Sequence, residues 1–267
     1  YGNNITYLTS VDDIRTMTDI VVFASVPVVN KQLFDQLRHH SEVKLFLLEK
    51  PFWDDNMIPE DYSGISSKCY INYYRKSLPL IRNIYEKIQS GKLGNPLGVH
   101  VWYSKGLRNN GSHMIDLVNY LFNNNYIYES ISTFHQINDY SAQDLSVSFS
   151  IKYKFQGHEF PVLFQVADEK AFSLIEMDLV FEKRRYRLTE SGGKIEVFTV
   201  KKDSVFAGYF NLNFDETLDS NINCYGMYTC NQIYDIVSKN IGSPSTLLNE
   251  YNTYRIIDGV KKVIRNE

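Results

Sequence analysis

The sequence predicts an α/β protein in which a doubly wound parallel sheet is followed by an open, mainly antiparallel sheet. Three patterns indicate this class. Short apolar runs alternate with helical stretches early in the chain, apolar and polar residues alternate strictly later on, and two helical stretches close the 267 residues. Continuous apolar runs are typical of strands that are covered on both faces, whereas strict alternation is typical of strands with one polar face.

The parallel sheet is predicted from two apolar runs with a helix between them. Residues 19–24 form a run rich in β-branched side chains, residues 44–48 form the next, and apolar residues recur at helical spacing within residues 30–40. Ligands of such sheets bind beyond the carboxyl ends of the strands. Those ends are Ser25-Val26-Pro27 and Glu49-Lys50-Pro51, which are therefore the first candidates for a ligand site.

Four further patterns complete the first part of the chain. Residues 5–9 predict a short strand, and residues 10–14 predict a capped helical turn. Residues 69–74 predict another strand, and residues 78–90 predict a helix that ends at Gly91.

The second sheet is predicted from the alternation over residues 99–103, 145–153 and 175–181. Gly157 and the pair Gly192-Gly193 mark hairpin turns between strands. Alternation means one covered and one polar face, which favours an antiparallel sheet.

Two helices, predicted over residues 223–239 and 246–264, close the chain. The change of period places a domain boundary near residues 91–98. We therefore expect three parts: a parallel-sheet domain (1–92), an α/β domain (93–245), and a final helix (246–267) that packs back toward the first domain.

Composition and charge exclude several classes of function. The formal net charge of -3 gives no general attraction to nucleic acid or anionic membranes. No apolar run approaches the roughly 20 residues that span a bilayer. The three cysteines form no Cys-x-x-Cys pair, which indicates a reducing, cytoplasmic compartment. The six histidines do not combine with other ligands at metal-site spacings, and no Gly-x-Ser-x-Gly turn of a covalent hydrolase occurs.

Lys50 is the first residue to which we assign chemistry. It follows a predicted buried strand and precedes a proline, so it is held in place rather than free. Partial burial would lower its pKa and suit it to donate a proton or a hydrogen bond to a substrate oxygen. The alternative is that Glu49-Lys50 is only the solvated end of a strand.

His113 is the second such residue. It falls in the first turn of a helix that Asn110 or Ser112 would cap, where the helix dipole disfavours a charged imidazole. A neutral imidazole near pH 7 is what a general base requires. Asp116, three residues further on, shares its face of the helix. The alternative is a capping or core histidine.

These stretches belong to an ordered set of motifs. The set comprises Glu49-Lys50-Pro51, Asn72-Tyr73-Tyr74-Arg75-Lys76, Gly91-Lys92-Leu93-Gly94, Tyr103-Ser104-Lys105-Gly106-Leu107 and Asn109-Asn110-Gly111-Ser112-His113-Met114-Ile115-Asp116. In this order it resembles the Gfo/Idh/MocA family of NAD(P)-dependent sugar oxidoreductases, most closely the members of surface-polysaccharide and lipopolysaccharide sugar synthesis. The resemblance extends from about residue 5 to the last helix.

The resemblance implies a Rossmann domain followed by an α/β domain, whose open sheet supports homodimers or homotetramers. It implies NAD or NADP as cofactor and hydride transfer to or from a sugar or nucleotide-sugar. Lys50 matches the lysine that binds the reacting hydroxyl or carbonyl, and His113 matches the histidine that accepts or returns its proton. Asn109 stands where many members carry an aspartate, and it can still hydrogen-bond.

The resemblance also implies residues that line the ligands. Those matching the cofactor positions are Ala24, Ser25, Val26, Pro27, Glu49, Lys50 and Pro51. The substrate candidates share cationic, hydroxyl or other polar side chains, because a nucleotide-sugar or an acidic sugar needs such partners. They are Arg75, Tyr103, Lys105, Asn110 and Asp116. For Arg75 and Lys105 the alternative is a solvated surface charge.

One expected part of the family's pattern does not occur in the sequence. There is no Gly-x-Gly-x-x-Gly, and Gly91, Gly94 and Gly98 have another spacing and follow a helix. Residues 5–9 correspond to the third strand of a Rossmann sheet. We therefore expect that about 60 residues, carrying the first two strands and the glycine turn, precede the sequence given. Without them, residues 19–24 form an edge strand of exposed β-branched residues.

Two functions follow from these patterns. The first is a nicotinamide-dependent sugar or nucleotide-sugar dehydrogenase, as the ordered motifs indicate. The second is a degenerate, non-catalytic homologue that acts as a sugar-binding or assembly module, as the missing glycine turn and Asn109 suggest. Reduction of NAD(P) in the presence of a sugar separates the two. The sequence does not specify the sugar or the direction of the reaction.

Overall fold

The structure is a computed structural model, and it describes residues 7, 9–11, 14, 18–40, 42–54 and 57–266. The strand expected over residues 5–9 and the helical turn expected over residues 10–14 lie largely outside these residues.

The described residues form eleven strands and five α-helices. In chain order these are β1 (Ile20–Phe23), α1 (Pro27–Leu37), β2 (Leu45–Leu48), β3 (Cys69–Ile71), α2 (Pro79–Gln89), β4 (Pro96–Tyr103), α3 (Ser112–Leu121), β5 (Tyr126–Ser141), β6 (Asp144–Phe155), β7 (His158–Val166), β8 (Ile175–Phe181), β9 (Arg184–Thr189), β10 (Lys194–Lys202), β11 (Phe210–Asp219), α4 (Tyr225–Lys239) and α5 (Leu247–Asn266).

The first sheet is parallel, with the strand order β1-β2-β3. Strand β2 is central, and three of its four residues are buried because strands lie on both sides of it. Strand β1 lies at the edge, where Val22 is 58% exposed. Phe34 of α1 covers this sheet and packs edge-on against Phe46 and Phe52, with ring centroids 5.3 and 5.2 Å away.

The second sheet has eight strands in the order β11-β10-β9-β8-β4-β7-β6-β5. Neighbouring strands are antiparallel except β4 and β7, which are parallel. A parallel sheet followed by a larger, mostly antiparallel one confirms the predicted fold class. Gly157 and Gly192, both with positive φ, lie in the turns β6–β7 and β9–β10 as predicted.

Helices α3 and α5 cover one face of the large sheet and form its core with it. Phe122, just after α3, packs against Phe160 of β7 at 4.7 Å, and Phe149 stacks on Phe164 across β6 and β7 at 4.4 Å. Helix α3 therefore has a fixed position on the sheet. This matters because α3 carries His113 in its first turn.

Candidate functional site

Lys50 lies at the carboxyl end of β2 and points toward the segment that leads into α3. Its ammonium group donates a hydrogen bond of 2.7 Å to the main-chain oxygen of Asn109. The side chain is half-buried, and the Lys50–Pro51 peptide bond is cis. Burial lowers the pKa of Lys50 to about 8, although the nearby carboxylates of Glu49 and Asp144 oppose the shift. Lys50 is thus more than a solvated strand end.

His113 is half-buried, and its ring packs edge-on against Tyr73, with the ring centroids 5.4 Å apart. Burial lowers its pKa well below the ordinary value, and the positive charges of Lys50 and Arg75 lower it further. The imidazole is therefore neutral at pH 7, as predicted. The main causes are burial and neighbouring cations, whereas the prediction had named the helix dipole.

The helix cap expected at Asn110 or Ser112 is not formed. A π-helical segment, Gly106–Gly111, runs directly into α3, and Gly111 at the junction has helical dihedral angles with no side-chain cap. Side chains from β6 bind the amides of this segment instead. The Ser146 hydroxyl accepts a hydrogen bond from the amide of Gly106 at 2.7 Å, and the two oxygens of Asp144 accept from the amides of Arg108 and Asn109 at 2.8 and 2.9 Å.

Lys50 and His113 converge because of this segment. Asn109 precedes His113 by about one helical turn. The hydrogen bond from Lys50 to the carbonyl of Asn109 therefore connects the end of β2 to the segment that leads into α3. The charge of Lys50 contributes to the lowered pKa of His113. The arrangement can hold one substrate oxygen between an ammonium group and a neutral imidazole.

Asn109 serves this arrangement mainly through its main chain. Its carbonyl accepts hydrogen bonds from Lys50 and from the hydroxyl of Ser112, at 2.7 and 3.1 Å. Its side-chain amide donates to the carbonyl of Lys105 at 3.1 Å. The hydrogen bond of the Asn109 side chain is therefore made to the main chain of Lys105.

Two of the predicted substrate residues, Tyr103 and Asp116, are buried and have partners within the protein. Tyr103 is fully buried, and its hydroxyl donates to the carbonyl of Val147 at 2.6 Å and accepts from its amide at 2.9 Å. Asp116 is buried and forms an ion pair of 2.9 Å with Lys76. Their polar atoms are therefore already bound within the protein.

Three predicted substrate residues remain candidates by position. Arg75 is buried, and its positive charge acts on both Lys50 and His113. Lys105 has a left-handed backbone, and its half-exposed ammonium group lies 4.0 Å from Glu169. Asn110 is half-buried within the π-helical segment.

The predicted cofactor residues lie at the carboxyl ends of β1 and β2. Ala24, Ser25 and Val26 are exposed, and the turn they form is held by Asn30, whose side chain makes two hydrogen bonds with the main chain of Ser25, at 2.9 and 2.8 Å. Glu49 is exposed, and its carboxylate accepts a hydrogen bond of 2.6 Å from the side-chain amide of Asn72.

A cleft of about 570 Å³ adjoins this edge of the sheet. Its walls are formed by one side of α1 and by the chain that follows Lys50. The lining residues are Val28, Lys31, Gln32, Asp35, Pro51, Phe52, Asp54 and Arg108. An ion pair of 3.0 Å joins Lys31 to Asp54.

Glu250, in the first turn of α5, is a site residue that sequence patterns did not identify. Its buried carboxylate accepts hydrogen bonds from the amides of Phe52 and Trp53, at 3.0 and 3.2 Å. Arg108 donates to the carbonyl of Trp53 at 2.6 Å. The chain after Lys50 is therefore held both by α5 and by the π-helical segment. Burial raises the pKa of Glu250 to about 7.

The described residues contain no group of three or more His, Cys, Asp or Glu side chains arranged to hold a metal ion. None of their helices combines the length and the apolar character that crossing a membrane requires.

No protein-family profile matches the sequence, and no curated protein matches it. Solved structures do match over 93% of this chain and 78% of theirs. They include an oxidoreductase from Sinorhizobium meliloti (TM-score 0.69, 9% identity), an oxidoreductase from Agrobacterium radiobacter in complex with NAD+, L-tartaric acid and magnesium (0.65, 13%), and a super-repressor mutant of Gal80p from Saccharomyces cerevisiae (0.65, 13%). At these identities the likeness shows a shared fold.

Proposed function

We propose that this chain is an oxidoreductase of the Gfo/Idh/MocA type, which transfers hydride between NAD or NADP and a sugar or nucleotide-sugar. The observation that carries the proposal is the hydrogen bond of 2.7 Å from Lys50, at the carboxyl end of β2, to the carbonyl of Asn109, about one helical turn before His113. The shared fold supports it, because one structure of that fold was solved with NAD+.

Lys50 and His113 have different roles at the reacting oxygen. In the oxidative direction, the neutral imidazole of His113 accepts the proton of the reacting hydroxyl, while the Lys50 ammonium group donates a hydrogen bond to the same oxygen. With a pKa of about 8, Lys50 is mostly protonated at pH 7 and suits this role. The bound nicotinamide would supply the hydride acceptor.

The residues present fit the nicotinamide end of such a cofactor. The turn of Ala24, Ser25 and Val26 is exposed, and Pro51 lines the adjoining cleft of about 570 Å³. A group bound there would lie next to Lys50, which is where the chemistry needs it.

Turnover by the chain tests the proposal. NAD+ or NADP+ is mixed with a panel of sugars and nucleotide-sugars, and formation of the reduced cofactor is followed by absorbance. Lys50→Met and His113→Asn should each lower the rate by about 10²- to 10⁴-fold, the usual contribution of a general acid or base. Arg82→Met, at an exposed position of α2, is the matched control. Variants as active as the wild type would refute the assigned roles.

A second candidate function is a non-catalytic homologue that binds sugars or serves assembly. The side chain of Asn109 binds Lys105 rather than assisting His113, which favours this alternative. A protein described as a repressor shares the fold. Sugar binding in a calorimeter without any cofactor reduction would support it, whereas sugar-dependent cofactor reduction would exclude it.

We also propose that the chain forms a homodimer or homotetramer through the large sheet and acts in the cytoplasm. Apolar side chains on one face of β11 support self-association, since Phe210 and Phe214 are 62% and 58% exposed. The thiols of Cys69, Cys224 and Cys230 are free, in keeping with a reducing compartment. Light scattering of the wild type and of Phe214→Glu tests the association.

A further inference from the structure

Arg75 is a buried cation without a carboxylate partner. The residue is only 4% exposed. Its Nε and Nη2 donate hydrogen bonds to the main-chain oxygen of Ser191 at 3.3 and 3.1 Å, and its guanidinium carbon lies 4.8 Å from the ring centroid of Tyr74. Among the residues that the structure describes, no Asp or Glu forms an ion pair with it.

The next residue in the chain shows the usual treatment of a buried cation. Lys76 is 1% exposed, and Asp116 neutralises it at 2.9 Å. A buried charge without such a partner is costly, so proteins rarely keep one for stability alone. Lys76 has a carboxylate partner and Arg75 does not. We therefore expect the counter-charge of Arg75 to come from a bound molecule.

The guanidinium group is also held in a fixed orientation. The turn that presents the Ser191 carbonyl has positive φ angles at Glu190, Ser191 and Gly192, of 51°, 59° and 93°. Left-handed backbone is unfavourable at the two non-glycine positions. The hydroxyl of Ser220 fixes the turn by donating to the carbonyl of Gly192 at 2.6 Å. The Ser191 carbonyl and a side-chain hydrogen bond with Tyr74 thus hold Arg75, and neither partner supplies a counter-charge.

The surroundings of Arg75 connect it to the proposed reaction site. Its charge acts on both Lys50 and His113. Tyr74, which contacts the guanidinium group, also packs against His113 with ring centroids 5.8 Å apart. The ring of Tyr225 lies 4.7 Å from that of Tyr74 and is 47% exposed, so this group of side chains extends to the protein surface.

We propose that Arg75 forms an oxyanion subsite next to Lys50 and His113. The substrate is then a sugar that carries a carboxylate or a phosphate on the same ring as the reacting carbon. This inference rests on the proposed function, because it assigns the ligand of the same site. A guanidinium group suits either oxyanion, since it offers parallel N–H donors to two oxygens.

Binding without cofactor tests the subsite. Titration calorimetry compares D-glucuronate with D-glucose, which differ in the carboxylate, and D-glucose 1-phosphate with D-glucose, which differ in the phosphate. At least one anionic sugar should bind the wild type about 10- to 100-fold more tightly than glucose, as hydrogen bonds to a charged group allow. The anionic sugar that binds more tightly shows whether the subsite binds a carboxylate or a phosphate.

Variants assign the preference to Arg75. Arg75→Lys and Arg75→Met should remove most of the preference, while Arg82→Met, which changes an exposed arginine, should keep it. Circular dichroism checks that each variant is folded, and if neither Arg75 variant folds, the wild-type ratio alone decides. Equal binding of anionic and neutral sugars, binding of neither, or an unchanged preference in folded Arg75→Met overturns the inference.

These results are separable from the fate of the proposed function. A chain that prefers an anionic sugar but never reduces NAD(P) refutes the dehydrogenase and keeps the subsite. A chain that oxidises neutral sugars and shows no preference for anions keeps the dehydrogenase and refutes the subsite.

Discussion

Replacing Asp116 by alanine should destabilise the protein strongly, although Asp116 was expected to bind substrate. The carboxylate is 2% exposed and lies 2.9 Å from the ammonium group of Lys76, which is 1% exposed. The pair joins the segment before α2 to helix α3, which carries His113. Removing one partner leaves the other charge buried with no counter-charge.

The magnitude follows from that burial. Breaking a buried ion pair by deleting one partner typically costs about 3–5 kcal/mol, because the remaining ion keeps its desolvation penalty. The ring of Tyr73 lies 5.5 Å from the Lys76 ammonium group and compensates only in part, by about 1–2 kcal/mol. Burial already raises the pKa of Asp116 against the opposing effect of Lys76. The large desolvation cost of burying both charges is therefore offset by a large electrostatic attraction between them.

A double-mutant cycle measures this balance. Urea unfolding of the wild type, Asp116→Ala, Lys76→Met and the combined Lys76→Met/Asp116→Ala variant gives four free energies of unfolding. Each single variant should lose about 3–5 kcal/mol, and the combined variant should lose clearly less than their sum, since apolar pairs often replace buried ions at little cost. A loss below about 1 kcal/mol for Asp116→Ala, or simple additivity, would refute the reasoning.

Three further predictions concern pH and packing. The pKa of Glu250 is raised to about 7 from an ordinary value near 4.5, so the folded protein holds the extra proton between these pH values. Its stability should therefore fall by up to ~3 kcal/mol as pH rises through that window; Glu250→Gln should flatten this dependence in urea unfolding at pH 5 and pH 8. Because the pKa of Lys50 is about 8, kcat/KM should fall above that pH as the ammonium group is lost, and Lys50→Arg should shift the fall upward in a pH–rate profile. Gly106→Ala should lower the free energy of unfolding by about 2 kcal/mol or more in thermal unfolding, because φ is +85° and the new methyl group would collide with the Asp144 carboxylate. Gly157→Ala is the control, because its φ is +88° and its new methyl group meets no neighbour, so it measures the cost of the backbone conformation alone.

Periodicity predicted the fold class because most of the regular elements bury one side. Strands β4, β6 and β8 alternate in sequence, and all three lie within the large sheet with one face on the core. Strand β5 shows no such pattern. All but one of its residues are partly or fully exposed, so this strand needed no alternating apolar residues.

Sequence patterns likewise indicated only part of the candidate site. Lys50 and His113 stand in local contexts, a strand end and a helix start, that a sequence displays directly, and the structure brings them together. Tyr103 has an equally suggestive local context, yet its hydroxyl is bound to Val147 in a neighbouring strand. Nothing near Tyr103 in the sequence indicates that partner.

The sequence by itself determined the order of the elements and the chemical groups at their ends, since both depend on residues close together in the chain. Only the tertiary structure decided which groups are free to act. Glu250 binds the amide of Phe52 across 198 positions, and Asp116 neutralises Lys76 across 40. Arg75 has no carboxylate partner among the residues that the structure describes. Hydrogen bonds and ion pairs form between neighbours in space, so folding decides which polar groups are already bound and which remain for a ligand.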